Sequence, residues 1–225
     1  MPRSSDPSSR STAGLGDRWV SDAPILHGLG PVALGGDLEP ETLLAAYRAG
    51  LFPMPVEGGR LMAWWSPDPR AVLPPERFAP SRSLRRSIRR YETTIDRCFR
   101  DVVEGCADPA RPHGWITAEI ADAYTRLHEL GWAHSIEVWY EGELVGGMYG
   151  VSIGAFFAGE SKFHRARDAS KVAVARMVEL LEPYEEAVFD VQWITPHLAS
   201  LGAVEIRQAE YLRRVRTAVE SPGPW

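Results

Sequence analysis

The chain has only two cysteines, Cys98 and Cys106, in 225 residues. With no third Cys or paired His nearby, they suggest neither a disulfide framework nor a zinc site, and both are expected to be small core residues. No apolar run approaches the roughly 20 residues needed to span a bilayer. The opening stretch "MPRSSDPSSRSTAGLG" lacks the apolar segment of a signal peptide, so a cytoplasmic location is expected. Gly146, Gly147, Gly150 and Gly154 match neither a Walker loop nor a dinucleotide fingerprint, which disfavours nucleoside triphosphates and nicotinamides. Net positive charge is missing as well: the balance of −5 argues against indiscriminate nucleic-acid binding but leaves room for a local basic patch.

What is present is globular in character, with 44% hydrophobic and 24% charged residues. Residues 1–24, rich in Ser, Pro and Gly, are expected to form a disordered tail. A small N-terminal domain is expected over 25–68 and the main domain over 69–225, the seam being the Trp- and Pro-laden stretch "AWWSPDPRAVLPP". A helix should open near Pro40 and stop at Gly50, with Pro53 and Pro55 closing it. Further helices are predicted at about 81–90, 97–106, 118–130, 169–182, 196–201 and 208–219. Thr117, Asp168 and Thr195 are the capping signals for three of them. Strands are predicted at 134–140, 143–150, 153–158, 187–193 and 203–206, with a hairpin turn at Glu141-Gly142. Hairpin strands followed by strand–helix alternation imply an α+β fold, a mixed sheet flanked by helices.

Three stretches could carry chemistry. In "SRSLRRSIRRY", Arg82, Arg85, Arg86, Arg89 and Arg90 fall on one face of a helix, opposite Leu84, Ile88 and Tyr91. Such a stripe is either a solvated surface or a contact for a phosphate backbone. In "GELVGGMYGVSIGAFFAGESKFHR", the interior glycines mark bulges or places where a ligand nears the backbone, and Glu160 ends an apolar strand. In "AVFDVQWITPH", alternation sets Asp190 and Gln192 together on one face of a strand, about 6 to 7 Å apart. Buried polar groups are costly unless satisfied, so this pair either closes on its neighbours or walls a site.

Several long motifs in order, "GGDLEPETLLAAYRAGLFP", "WWSPDPRAVLP", "GWITAEIADAYTRLHELGWAHSIEVWYEGELVGGMYGVSIGAFFAGES", "DASKVAV" and "FDVQW…HLASLGAVEI", closely resemble the leucyl/phenylalanyl-tRNA–protein transferases from about Gly35 to Tyr211. The resemblance implies a GNAT-related larger domain, no metal and no organic cofactor. It implies transfer of Leu or Phe from aminoacyl-tRNA to the α-amine of proteins beginning with Arg or Lys, marking them for N-degron proteolysis. By matching motifs, Asp190 and Gln192 would hold and deprotonate the amine or bond the ester, and Glu160 would bind the basic acceptor terminus.

Met148, Phe163, Val174 and Met177 would form the side-chain pocket, or else plain core. Trp115 and Tyr124 would stack on the terminal adenosine, and the arginine stripe would meet the acceptor stem. Two positions depart from the family pattern: Met54 stands in "FPMP" where a second aromatic is common, and Lys162 stands in "GESKF" where methionine is usual. The alternatives are a GNAT-type acyltransferase using acyl-CoA, disfavoured because "HRARDASK" has no glycine to cradle pyrophosphate, and a non-catalytic RNA-binding module.

Overall fold

A computed structural model describes residues 30–56, 61–109 and 114–225. The expected N-terminal tail falls in the part outside those ranges. Two sheets organise the chain. The smaller has order β1-β3-β2, built from β1 (Ala33–Leu34), β2 (Phe52–Val56) and β3 (Leu61–Trp65). Helix α1 (Pro40–Arg48) precedes β2, opening with Pro40 in its first turn and ending just before Gly50, which takes φ +78°.

The larger sheet has seven strands in the order β10-β4-β9-β8-β7-β6-β5. These are β4 (Arg70–Val72), β5 (Glu92–Ile95), β6 (Ala133–Tyr140), β7 (Glu143–Ile153), β8 (Phe156–His164), β9 (Val188–Gln192) and β10 (Val204–Ile206). Only β8 and β9 run parallel, so the sheet is mixed and the fold is α+β. One face packs against α3 (Phe99–Cys106) and α4 (Ala118–Glu129), the other against α2 (Arg82–Arg90) and α5 (Ala169–Leu181). Helices α6 (Pro196–Ala199) and α7 (Gln208–Ala218) follow β9 and β10. The core on the α3–α4 face also takes in Leu43, Phe52 and Trp64, so the small sheet shares the main core.

Local chemistry explains several helix starts. Ser81, Thr117 and Thr195 each accept a hydrogen bond from the backbone N–H three residues on, satisfying one orphan donor of the first turn. Asp168 does not cap α5 in this way. It sits at φ +64°, accepts from Ser87 Oγ at 3.0 Å and pairs with Lys171 at 3.4 Å.

Other expectations give way at the strands. Pro53 and Pro55 lie inside β2, and the stretch read as a rigid seam contains part of β3 and all of β4. The strands β1, β2, β3, β4 and β5 were not foreseen, because proline and short length hide strand character. The hairpin break falls at Gly154-Ala155, so β7 and β8 run on to Ile153 and His164.

The interior glycines serve packing. A methyl on Gly147 would meet the Phe163 ring at 3.3 Å and the carbonyl oxygen of Ile136 at 2.8 Å, and one on Gly105 would meet the same ring at 2.8 Å. Phe163 is therefore buried between a strand and a helix that approach closely only because both positions lack side chains.

Candidate active site

The site is assembled where β9 ends. Gln192, the last residue of the strand, has φ +65°, a region that residues with a Cβ enter at some cost. The simple alternation expected for 187–193 therefore stops here, and the Gln192 backbone N–H turns to donate to Asp190 Oδ1 at 2.9 Å.

Asp190 is fully buried and its carboxylate is fully used. Arg70 donates through Nε at 2.8 Å and Nη2 at 2.5 Å, Tyr211 donates its hydroxyl at 2.8 Å, and Gln192 supplies the fourth donor. A carboxylate offers about four lone-pair positions, so none is left for an incoming amine. Asp190 is absent from the cavity wall. Burial works against the Arg70 charge, but Asp190 outweighs it and holds the guanidinium above its ordinary value. The guanidinium carbon lies 4.6 Å from the centre of the Phe52 ring and 4.6 Å from that of Tyr211.

A second chain of bonds reaches Gln192 from the α4 side. Its Nε2 donates to Glu160 Oε1 at 3.1 Å, and Tyr124 donates to Glu160 Oε2 at 3.0 Å. The Tyr47 and Tyr124 hydroxyls lie 2.5 Å apart, so with Glu160 ionised the protons run Tyr47 to Tyr124 to Glu160. Burial pushes both phenols well above their ordinary range, which keeps them donors. Burial likewise pushes the Glu160 carboxyl up to about 7, opposed by hydrogen bonds from the tyrosines. Each Glu160 oxygen keeps capacity for another donor, in contrast to Asp190.

Glu160 and Gln192 face a cavity of about 180 Å³. Met148, Val174, Phe189 and Leu198 form its apolar wall, and Ser161, Lys162 and Thr195 join Glu160 and Gln192 on the polar side. For scale, a dry cavity of roughly 150 Å³ holds one benzene molecule. The space suits a single isobutyl or benzyl group with a polar linkage at one end.

The residues singled out in the sequence are thus only partly brought together. Met148, Val174, Glu160 and Gln192 line the cavity. Phe163 and Met177 do not, and are buried as core. Tyr124 is wholly buried, so its ring has no face to stack on an adenosine; it orients Glu160 instead. Trp115 is half-buried against the core. All five arginines of the α2 stripe are exposed, with Leu84 buried beneath them and Arg90 lying 4.3 Å over the Tyr140 ring.

Sequence reasoning missed Arg70, Tyr211, Tyr47 and Trp193. Trp193 lines the cavity and sets its edge against Phe52 and Trp65. A charged Arg70 inside "PDPRAVLPP" was the available signal. The tyrosines sit at ordinary helix-core spacing and gave none.

Neither cysteine lines the cavity. Cys106 is buried, and burial pushes the half-buried Cys98 thiol up to about 12, out of the nucleophilic range. Among the described residues, no group of three His, Cys, Asp or Glu side chains stands close enough to hold a metal ion. None of the described helices is long and apolar enough to cross a membrane.

A buried carboxyl that burial raises to about 7, an amide beside it and a pocket sized for one apolar side chain fit an enzyme that acts on a small acyl group. Comparison with known proteins narrows this. The family model for leucyl/phenylalanyl-tRNA protein transferase matches residues 72–216, and the model for its N-terminal domain matches residues 36–68. The leucyl/phenylalanyl-tRNA–protein transferase of Azoarcus sp. (strain BH72) is 48% identical over 219 residues, covering 92% of this chain and 93% of its own. That of Anaeromyxobacter sp. (strain Fw109-5) is 52% identical over 204 residues, covering 87% and 86%.

The chain belongs to the leucyl/phenylalanyl-tRNA–protein transferase family, and it is an aminoacyltransferase. A solved GCN5-related N-acetyltransferase-like protein from Streptococcus suis 89/1591 overlaps 74% of this chain and 64% of its own, with 14% identity and a TM-score of 0.35. That overlap is too slight to bear on the chemistry.

Proposed function

We propose that the enzyme moves Leu or Phe from aminoacyl-tRNA to the α-amine of proteins that begin with Arg or Lys, in the cytoplasm, as a mark for N-degron proteolysis. The observation that carries this reading is the cavity itself: an apolar wall sized for one such side chain, ending at the hydrogen-bonded pair Glu160 and Gln192. The acyl side chain sits among Met148, Val174, Phe189 and Leu198. Met148 is flexible and can repack, which suits both Leu and Phe. The ester lies at the polar end, and the α-amine of the acceptor approaches Glu160.

Aminolysis of an ester starts from an activated bond, so positioning and one proton transfer supply most of what is needed. An α-amine with an ordinary pKa near 7.7 to 8 is partly neutral at cellular pH. Its nitrogen attacks the ester carbonyl, a C–N bond forms, and the C–O bond to the ribose breaks. Glu160, with a carboxyl near 7, takes the ammonium proton and returns it to the departing ribose oxygen. With Nε2 committed to Glu160, the Gln192 side chain has its carbonyl oxygen to offer the amine.

Asp190 acts through Gln192: together with Arg70 and Tyr211 it fixes the strained end of β9. The α2 arginines meet the acceptor stem, and Trp115 with Trp193 offers stacking surface to the terminal adenosine. Residues 25–68 serve as a small N-terminal domain and 69–225 as a GNAT-related catalytic domain. No metal or organic cofactor takes part.

Labelled Leu-tRNA or Phe-tRNA, incubated with the enzyme and two peptides that begin with Arg or Ala, tests the reading. Label should reach the Arg peptide and not the Ala peptide. Equal labelling of both would remove the acceptor selectivity, and labelling of neither would remove the function.

A further inference from the structure

Beside the cavity lies a set of side chains that this reaction does not use. Lys162 and His164 are two apart on β8 and so share one face of the strand. Lys162 lines the cavity together with Thr195 and Leu198, the residues that bracket His197 in the turn of α6. The His197 Nε2 is buried and has no hydrogen-bond partner among the described residues. Lys171, in the first turn of α5, completes the group.

Burial holds the His197 imidazole below its ordinary range, and Lys162, Lys171 and His164 push the same way, while Asp168 opposes them. Asp168 is already engaged by Ser87 Oγ at 3.0 Å and Lys171 at 3.4 Å. A buried donor without a partner is costly, and the cations around the ring keep it neutral. An anion that accepts from Nε2–H removes that cost and offsets the cations beside it.

We propose that Lys162 and His197 form a subsite for the last internucleotide phosphate of the aminoacyl-tRNA. The proposal rests on the transferase reading: an ester held at Glu160 and Gln192 is borne on the terminal ribose, whose 5′ oxygen carries that phosphate just outside the cavity. Lysine suits the task as a compact charge on a flexible stem. Its methylenes cover the cavity wall while the ammonium serves the phosphate, so the pocket still takes an apolar acyl group. Methionine at this position could line the pocket but not bind the anion.

The test compares Leu-tRNA with leucyl-adenosine, which ends at the ribose and carries no phosphate, using the unaltered enzyme, Lys162→Met, His197→Ala and His197→Gln. A charge-assisted bond to phosphate corresponds to about tenfold or more in affinity. Lys162→Met and His197→Ala should therefore raise KM for Leu-tRNA about tenfold more than KM for leucyl-adenosine. Lys162→Met should also flatten the salt dependence of tRNA binding by about 0.7 in log–log slope. His197→Gln, which restores a donor near the Nε2 position, should recover part of the loss.

Equal KM changes on both substrates would overturn the subsite and leave Lys162 as a wall of the acyl pocket. No change on either substrate would overturn it too. Failure of the unaltered enzyme on both substrates would overturn the transferase reading beneath it.

Discussion

Replacing Asp190 by asparagine keeps the shape of the side chain but removes the carboxylate charge paired with Arg70. Both side chains are essentially inaccessible, at 1% and 0% exposure. The substitution leaves a buried guanidinium uncompensated and sets an amide N–H₂ against its donors. Breaking a pair in this way costs about 3–5 kcal/mol, a large share of the roughly 5–15 kcal/mol that holds a domain together. With a urea m-value of about 2 kcal/mol/M, the unfolding midpoint followed by tryptophan fluorescence should fall by roughly 2 M.

Transfer should suffer separately. Loss of the anchor for the Gln192 backbone allows a displacement on the order of 1 Å, which costs about 100-fold in kcat. The double variant Arg70→Met/Asp190→Leu separates the two effects. A well-packed apolar pair often matches a buried ion pair in stability, so folding should recover while transfer stays low. A stability loss below about 1 kcal/mol in Asp190→Asn together with normal transfer would refute the positioning role.

Four further outcomes are expected. The Glu160 carboxyl near 7 should appear as a limb in kcat/KM that falls as pH drops through about 7, and Glu160→Gln should abolish that limb along with most of the transfer. Because this pKa is raised on folding, its contribution to stability is present below about pH 4.5 and is lost as pH rises through about 7. The full loss amounts to about 3 kcal/mol, most of which a comparison of urea midpoints at pH 5 and pH 8 should show in the unaltered enzyme and not in Glu160→Gln.

Replacing Arg85, Arg86 and Arg89 together by alanine should weaken tRNA binding and reduce the log–log salt slope by about 2, read from binding titrations at several salt concentrations. In Gly159→Ala the added methyl meets Phe189 at 3.1 Å and Met148 at 3.4 Å. It narrows the acyl pocket, so kcat/KM for Phe-tRNA should drop about tenfold relative to Leu-tRNA.

The sequence made the long helices legible because their apolar spacing and caps act locally. Ser81, Thr117 and Thr195 cap the helices they precede. It concealed β2 and β4, where Pro53, Pro55 and Pro74 suggest a loop and where pairing with distant partners decides the matter: Phe52 with Trp65, Val72 with Asp190. Strand alternation set Asp190 and Gln192 side by side on one face, but the left-handed turn at Gln192 parts them, with Gln192 in the cavity wall and Asp190 outside it, and their division of labour was not readable. It depends on Arg70, 120 positions away in the chain, and on Tyr211, 21 positions away. Tyr124 illustrates the same limit: a motif match names the residue, and only its contact with Glu160, 36 positions on, shows that it orients a carboxylate.

A structure of the enzyme with leucyl-adenosine in which an amide replaces the ester would test the account most directly. The leucyl side chain should lie among Met148, Val174, Phe189 and Leu198, with the acyl carbonyl carbon beside Glu160 and Gln192. An analogue bound elsewhere, or with its acyl carbon next to Asp190 and away from Glu160, would contradict it.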